Sequence, residues 1–258
     1  MDLGLRDRRV LVTGATRGIG KATALAFGAE GARVAITYNS SADEAEKVVA
    51  QLGGEDRSFA TRYDLRDNDS IDATVAAVVE RWGGIDILVA NALFFTWTDP
   101  SITPSFEDTP LEDWTERLRA NVEGTVRTAQ LALAPMRQRK WGRIVILSST
   151  TAHNGLPGSE IYSASKAAMH GFARGAMWGG KDSGVLVNVV APGLTLTESA
   201  HEALAASEVT RAMADRELSV TPSGRLSDPE DIARLIVFLS SQANGNVTGE
   251  VVRTAGGR

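Results

Sequence analysis

The sequence predicts one α/β domain over residues 1–258, a doubly wound parallel sheet flanked by helices. Three observations lead there. Short apolar runs of the kind buried on both faces of a sheet alternate, from end to end, with segments whose apolar residues recur every three or four positions. A glycine-rich turn follows the first of those runs. The composition, 43% hydrophobic and 23% charged in 258 residues, supplies one large core, and no repeat, low-complexity tract or linker divides it.

The elements follow in order. Val10-Val12 is the first strand and Gly18-Glu30 the helix after the glycine turn. Val34-Thr37 is the second strand, Asp43-Leu52 the next helix, and a third strand ends just before Asp64. Asp69-Trp82 reads as helix, Ile85-Val89 as the fourth strand, and Leu111-Gln138 as one long helix. Ile144-Leu147, the helix Ser163-Met177 and the strand Leu186-Val190 continue the alternation. Gly179 and Gly180 should make the helix Ser163-Met177 end early or fray, since each glycine disfavours helix by about 1 kcal/mol relative to alanine. Residues 194–223 contain two short helical patterns, Glu198-Ala206 and Glu208-Glu217, and are expected to close over substrate as a lid. A rigid subunit contact is the alternative. Asp228-Pro229-Glu230-Asp231 then opens a helix through Leu239, with proline and carboxylates in its first turn, ahead of a last strand at Glu250-Thr254.

Several classes of function are disfavoured. The chain has no cysteine, and its three histidines, His153, His170 and His201, are scattered, so no metal site is expected. A net charge of -5 argues against nucleic-acid binding. The charged start, Met1 to Arg9, is unlike a signal peptide, and no segment approaches the roughly 20 apolar residues of a membrane span. A cytoplasmic protein without membrane contact is expected.

The turn Thr13-Gly14-Ala15-Thr16-Arg17-Gly18-Ile19-Gly20 lies between the first strand and its helix. Glycine at 14, 18 and 20 permits a tight bend and lets backbone N–H groups, with Thr16 and Ile19 among them, approach a diphosphate. The second strand ends Ala35-Ile36-Thr37-Tyr38-Asn39-Ser40 without the acid that would bind the ribose hydroxyls of NAD. Arg17 can meet a 2′-phosphate, with Asn39, Ser40 and Ser41 adding neutral hydrogen bonds, so the expected cofactor is NADPH. Arg17 as a plain solvated loop charge is the competing account. Asp64 and Leu65 are placed to meet the adenine, unless they form an ordinary strand-end turn.

Ser149, Tyr162 and Lys166 combine a hydroxyl, a phenol and an ammonium. Hydride delivery to a carbonyl builds charge on oxygen, and Tyr162 is the candidate proton donor. Its ordinary pKa near 10 is high for exchange at neutrality. Lys166, one helical turn on, is expected to lower it.

With Asn91-Ala92, Asn121, Ser149, Tyr162-x-x-x-Lys166 and Ala191-Pro192-Gly193 in this order behind the glycine loop, the chain resembles the short-chain dehydrogenase/reductase family over essentially its whole length. The nearest subgroup is the 3-oxoacyl-[acyl-carrier-protein] reductases and secondary-metabolite ketoreductases. The resemblance implies a Rossmann-type sheet and a catalytic set of Asn121, Ser149, Tyr162 and Lys166. In it Lys166 also grips the nicotinamide ribose, Ser149 bonds the substrate carbonyl, and Asn121 holds a water that relays protons to Lys166. Taken singly, Tyr162 and Lys166 could be a helix-surface pair, Ser149 a cap and Asn121 a helix kink. Pro192 and Gly193 should turn the chain past the nicotinamide, with Thr195 or Thr197 meeting its carboxamide or the diphosphate. The family's Asn-Asn-Ala-Gly is replaced by Ala90-Asn91-Ala92-Leu93, which predicts an altered pocket shape. The family also implies a homodimer or homotetramer, through helices beginning near Leu111 and Ser163.

Phe94, Phe95 and Trp97 suit a hydrophobic or aromatic ketone, with Leu156 as a further wall and His153 as a polar contact. Arg137, Arg139 and Lys140 are either a docking cluster for an acidic carrier protein or a solvated helix end. The expected activity is reduction of a 3-oxoacyl thioester or polyketide-like ketone, free or carrier-bound, to a secondary alcohol. Enoyl-thioester reduction is disfavoured because the resembling enoyl reductases space tyrosine and lysine more widely. A nucleotide-binding scaffold or sensor without turnover is the reading from a different class.

Overall fold

A computed structural model describes residues 2–95 and 105–258. Seven parallel strands form one sheet in the order β3-β2-β1-β4-β5-β6-β7. They are β1 (Arg9–Val12), β2 (Arg33–Tyr38), β3 (Ser58–Arg62), β4 (Ile87–Ala90), β5 (Gly142–Leu147), β6 (Val185–Pro192) and β7 (Val251–Thr254). Every residue of β4 and β5 is buried, as a strand covered on both faces requires. β4 begins at Ile87, later than the sequence predicts. Just before it Asp86 still bonds both neighbouring strands, its N–H to the Arg9 carbonyl at 2.9 Å and its carbonyl to Arg143 N at 3.0 Å, while its side chain receives Arg9, with Nε 2.8 Å and Nη2 2.5 Å from the carboxylate. The carboxyl is buried, but hydrogen bonding from Arg9 outweighs that cost and holds its pKa below the ordinary value.

Two layers of helices cover the sheet. On one side α1 (Gly18–Ala29), α2 (Ala42–Gln51) and α10 (Pro229–Ser240) bury Ala24, Phe27, Ala45, Val48, Ile232 and Ile236 against Val10, Val12, Val34 and Ile36. On the other α3 (Asn68–Trp82), α5 (Thr125–Gln138) and α7 (Glu160–Trp178) bury Val75, Val78, Ala129, Met136, Met169 and Ala173 against Leu11, Ala35, Leu88 and Ile144. Alternate residues of β1 and β2 therefore serve opposite cores, as the pleat dictates. Local chemistry fixes the helix ends. Asp67 caps α3 by accepting from the backbone of Asp69 and Ser70, Gly83 closes it with φ 76°, and Asp228 and Asp231 form a capping box ahead of α10.

Two predicted helices differ. Leu111-Gln138 is not continuous: α4 (Leu111–Arg119) and α5 are joined by a widened π turn over Ala120–Gly124. Gly124 presses against the end of β3's loop, where a Cβ would lie 2.4 Å from the Leu65 carbonyl oxygen. α7 runs through Gly175 as far as Trp178 and stops at the glycine pair, so the glycines terminate the helix and do not shorten it. Among the described residues the remaining helices are the short α6 (Thr151–Asn154), α8 (Glu198–Ala206) and α9 (Glu208–Ser219), with a single 3-10 turn at Phe106–Asp108.

Candidate active site

Strand order reverses between β1 and β4, and chains leaving those two strands diverge to open a crevice at their carboxyl ends. A cleft of about 1000 Å³ occupies it. Its floor is the turn between β1 and α1, where Gly14, Thr16, Arg17, Ile19 and Gly20 all line the space. The bend is too tight for a side chain at position 20: a Cβ there would sit 2.3 Å from the Gly14 carbonyl oxygen and 2.6 Å from Asn91 Nδ2. A diphosphate could approach backbone alone on this floor, so the residues present fit a dinucleotide.

The turn is held from both neighbouring strands. Gly14 N donates to Thr37 Oγ1 at 2.9 Å. Asn91 Nδ2 donates to the carbonyls of Thr13 at 2.9 Å and Gly14 at 2.8 Å. In return Thr13 Oγ1 accepts from the backbone N–H of Asn91 and of Ala92, both at 3.0 Å. Thr13 and Thr37 were not singled out as braces by the sequence, since Thr37 inside β2 looks like ordinary β-propensity and Thr13 reads only as the first residue of the turn.

Asn39, Ser40, Asp64, Leu65, Asn91, Ala92, Phe94, Phe95 and Thr197 also line the cleft, as the sequence predicts. So do Lys21, Glu44 and Glu198, whose charges the motif pattern did not flag. Asp64 is gripped by Arg66, with Nε 3.0 Å from Oδ1 and Nη2 2.7 Å from Oδ2. That guanidinium holds the Asp64 carboxyl below its ordinary pKa and stands 4.8 Å from the Phe94 ring centroid. Thr195 is turned away from the cleft. It is buried, and its hydroxyl donates back to the Gly193 carbonyl at 3.0 Å.

Behind Phe94 and Phe95 stand the residues of the proposed catalytic set. Phe95 meets Tyr162 edge to face, with centroids 5.6 Å apart. Ser149 follows β5, where the ladder to β6 continues past the strand: Ser148 N bonds the Val190 carbonyl and Thr150 N that of Pro192. The Ser149 hydroxyl is 2.8 Å from Thr151 Oγ1. Lys166 is buried, its Nζ 5.8 Å from the Tyr162 ring centroid and donating to the Leu147 carbonyl at 2.8 Å.

These contacts reverse one expectation about charge. Burial raises the Tyr162 phenol above its ordinary pKa, and hydrogen bonding with Ser149 only partly offsets it. Lys166 does not lower it, because its ammonium is directed at Leu147 and burial itself pushes the lysine down to about 8.

Asn121 sits in the π turn and spends its amide on protein. Oδ1 accepts from Phe94 N at 2.9 Å, while Nδ2 donates to the carbonyls of Phe94 at 2.8 Å and Arg117 at 2.9 Å. It therefore braces the loop that carries both phenylalanines. Leu93 forms part of the cleft wall, and Ala90 is buried among the α3, α5 and α7 side chains, so the two departures from the family pattern reshape wall and core respectively.

Other predicted contacts lie elsewhere. His153 stacks on His170 at 4.9 Å between centroids and lines a separate pocket with Arg174, Glu250 and Arg253, away from the cleft. Leu156 is exposed in the turn before α7, and Trp97 lies outside the described residues. Arg137, Arg139 and Lys140 stand just before β5, at the end of the sheet opposite the cleft. Arg139 donates to the Ile85 carbonyl there, which disfavours a carrier-docking role. Among the described residues no cluster of histidine or acidic side chains suits a metal ion, and no helix is long and apolar enough to cross a membrane.

Known proteins share this arrangement. Residues 14–258 match a family model described as enoyl-(acyl carrier protein) reductase. The chain is 34% identical over 258 residues to an uncharacterised oxidoreductase of Mycobacterium bovis, covering 98% of each chain. It is 33% identical over 261 residues to the 3-oxoacyl-[acyl-carrier-protein] reductase FabG of Aquifex aeolicus, covering 100% of this chain and 99% of the relative. A crystal structure from Sinorhizobium meliloti, of a candidate short-chain alcohol dehydrogenase, superposes with a TM-score of 0.87 at 31% identity, covering 100% of this chain and 98% of the other.

Proposed function

Because the chain belongs to the short-chain dehydrogenase/reductase family of oxidoreductases, we propose that it is an NADPH-dependent carbonyl reductase acting on a 3-oxoacyl thioester or a polyketide-like ketone. The carrying observation is the partly buried Tyr162 phenol, in ring contact with Phe95 at the cleft wall, with Lys166 Nζ 5.8 Å from its ring centroid. When bound, NADPH supplies the hydride. The glycine turn and Asn91-Ala92 hold its diphosphate side, Asp64 and Leu65 its adenine, and Pro192, Gly193 and Thr197 its nicotinamide side. Arg17, Asn39 and Ser40 bind the 2′-phosphate. Ser149 donates a hydrogen bond to the substrate carbonyl oxygen, and Tyr162 gives that oxygen a proton as its charge develops. A phenol raised above 10 is fully protonated at neutral pH, which suits the reducing direction.

Phe94 and Phe95 favour an apolar chain beside the reacting carbonyl, and α8 with Ala200, Ala203 and Leu204 faces it as a lid. The three residues between Tyr162 and Lys166 support carbonyl over enoyl reduction. Leu111 and Trp178, 64% and 71% exposed on α4 and α7, support association into a homodimer or homotetramer.

The test is oxidation of NADPH and NADH by purified protein, with a 3-oxoacyl thioester, free or carrier-bound, and a panel of aliphatic and aromatic ketones. Turnover favouring NADPH and one of these carbonyls is expected. Tight cofactor binding without turnover would support a nucleotide-binding scaffold instead.

A further inference from the structure

The first backbone donors of α1 have no local partner. Its N-cap is Arg17, whose side chain makes no capping bond, and its first turn contains no acid. The missing anion arrives from 180 residues downstream: Gly18 N donates to Glu198 Oε2 at 2.8 Å. Thr197 closes over the same point, with its Cγ2 3.1 Å from where a Gly18 Cβ would lie. Glu198 also stands in the first turn of α8, which Thr197 caps through Ala200 N at 3.2 Å. One carboxylate thus sits favourably at two helix starts at once. Its position is also the one a cofactor diphosphate needs.

We infer that Glu198 is an internal competitor for the diphosphate site, a carboxylate that latches the α8 lid onto the start of α1 and must be displaced when a dinucleotide binds. The inference rests on the cleft being a dinucleotide site. A diphosphate brings negative charge to the same N–H groups, so both anions cannot be accommodated without repulsion. Cofactor binding and lid movement are therefore one coupled step. Glu198 sets how much nucleotide affinity is spent on releasing the lid. A charge at an exposed helix start contributes a modest free energy, so its loss should tighten nucleotide binding about two- to fivefold, most at low ionic strength.

Glu198→Gln keeps a hydrogen-bond acceptor and removes the charge, whereas Glu198→Ala removes both. The proposal is tested by fluorescence titration of NADPH and of inorganic pyrophosphate into wild type and both variants at low and high salt. Limited proteolysis of segment 194–223 in nucleotide-free protein is run alongside. Expected results are tighter binding of both probes by the variants, a difference that shrinks with salt, and faster cleavage of the variant lids. Equal or weaker binding by both variants overturns the inference, as does an unchanged cleavage rate. If wild type binds no dinucleotide, it is the functional reading that fails, and the two failures are told apart by the wild-type titration alone.

Discussion

Replacing Thr13 with valine should loosen the cofactor turn while leaving its shape almost unchanged. Thr13 is 1% exposed, and its Oγ1 is the acceptor for the N–H groups of Asn91 and Ala92. Asn91 N retains a second acceptor, the Val89 carbonyl at 3.1 Å. The Ala92 N–H has no other partner among the described residues, so a valine methyl leaves one part-buried donor unpaired at the cleft edge. A fully buried unsatisfied donor costs about 1–3 kcal/mol, which sets the upper bound for this part-buried one. For a domain of this size that corresponds to a fall in Tm of roughly 2–10 °C. Because Ala92 packs on Gly14, the displaced strand end should also weaken NADPH binding. Thermal unfolding and nucleotide titration of Thr13→Val, with Thr13→Ser as the control that keeps the acceptor, measure both effects. A valine variant that melts within about 1 °C of wild type and binds cofactor equally would refute the reasoning.

Other perturbations separate the parts of the site. Arg17→Ala should weaken NADPH more than NADH in parallel titrations, and Glu44→Gln, which removes a carboxylate from the same cleft, should shift preference the opposite way; equal effects on the two nucleotides would count against the 2′-phosphate contact. Lys166 is depressed to about 8, so it is cationic below that pH and neutral above it. If its charge serves the cofactor, kcat/KM for NADPH should fall as pH rises through about 8, and a profile flat to pH 10 would contradict this. Asn121→Ala strips the partners from Phe94 N and O, so kcat should drop while NADPH affinity changes little. Preserved kcat would show that the loop needs no brace.

The strands and the glycine turn were legible because their signals are local: apolar runs of strand length, and glycine where a strand meets a helix. The sequence order of Ser149, Tyr162 and Lys166 likewise pointed to one site. What sequence could not show depends on contacts between distant segments. The sequence offered Asn121 as a helix kink only as an alternative, and the π turn in Leu111-Gln138 does contain it; the contacts made there, Gly124 with Leu65 and Asn121 with Phe94, are not visible in helical periodicity. Lys166 shares a helix face with Tyr162, yet its ammonium finds a carbonyl on β5, and burial then decides the direction of both pKa shifts. His153 follows Ser149 by four residues, but the short α6 carries it onto His170 and out of the cleft. Glu198 was legible only as an acid at the start of a lid helix; its partner, Gly18, emerges from the fold.

The proposed reduction requires Tyr162 as the proton donor. Single-turnover oxidation of pre-bound NADPH by a 3-oxoacyl thioester, compared between wild type and Tyr162→Phe at equal nucleotide occupancy, isolates that step. Phenylalanine keeps the ring contact with Phe95 and removes only the hydroxyl, so NADPH should bind as before while the rate falls by roughly a hundredfold or more. A variant that oxidises NADPH at the wild-type rate would contradict the mechanism.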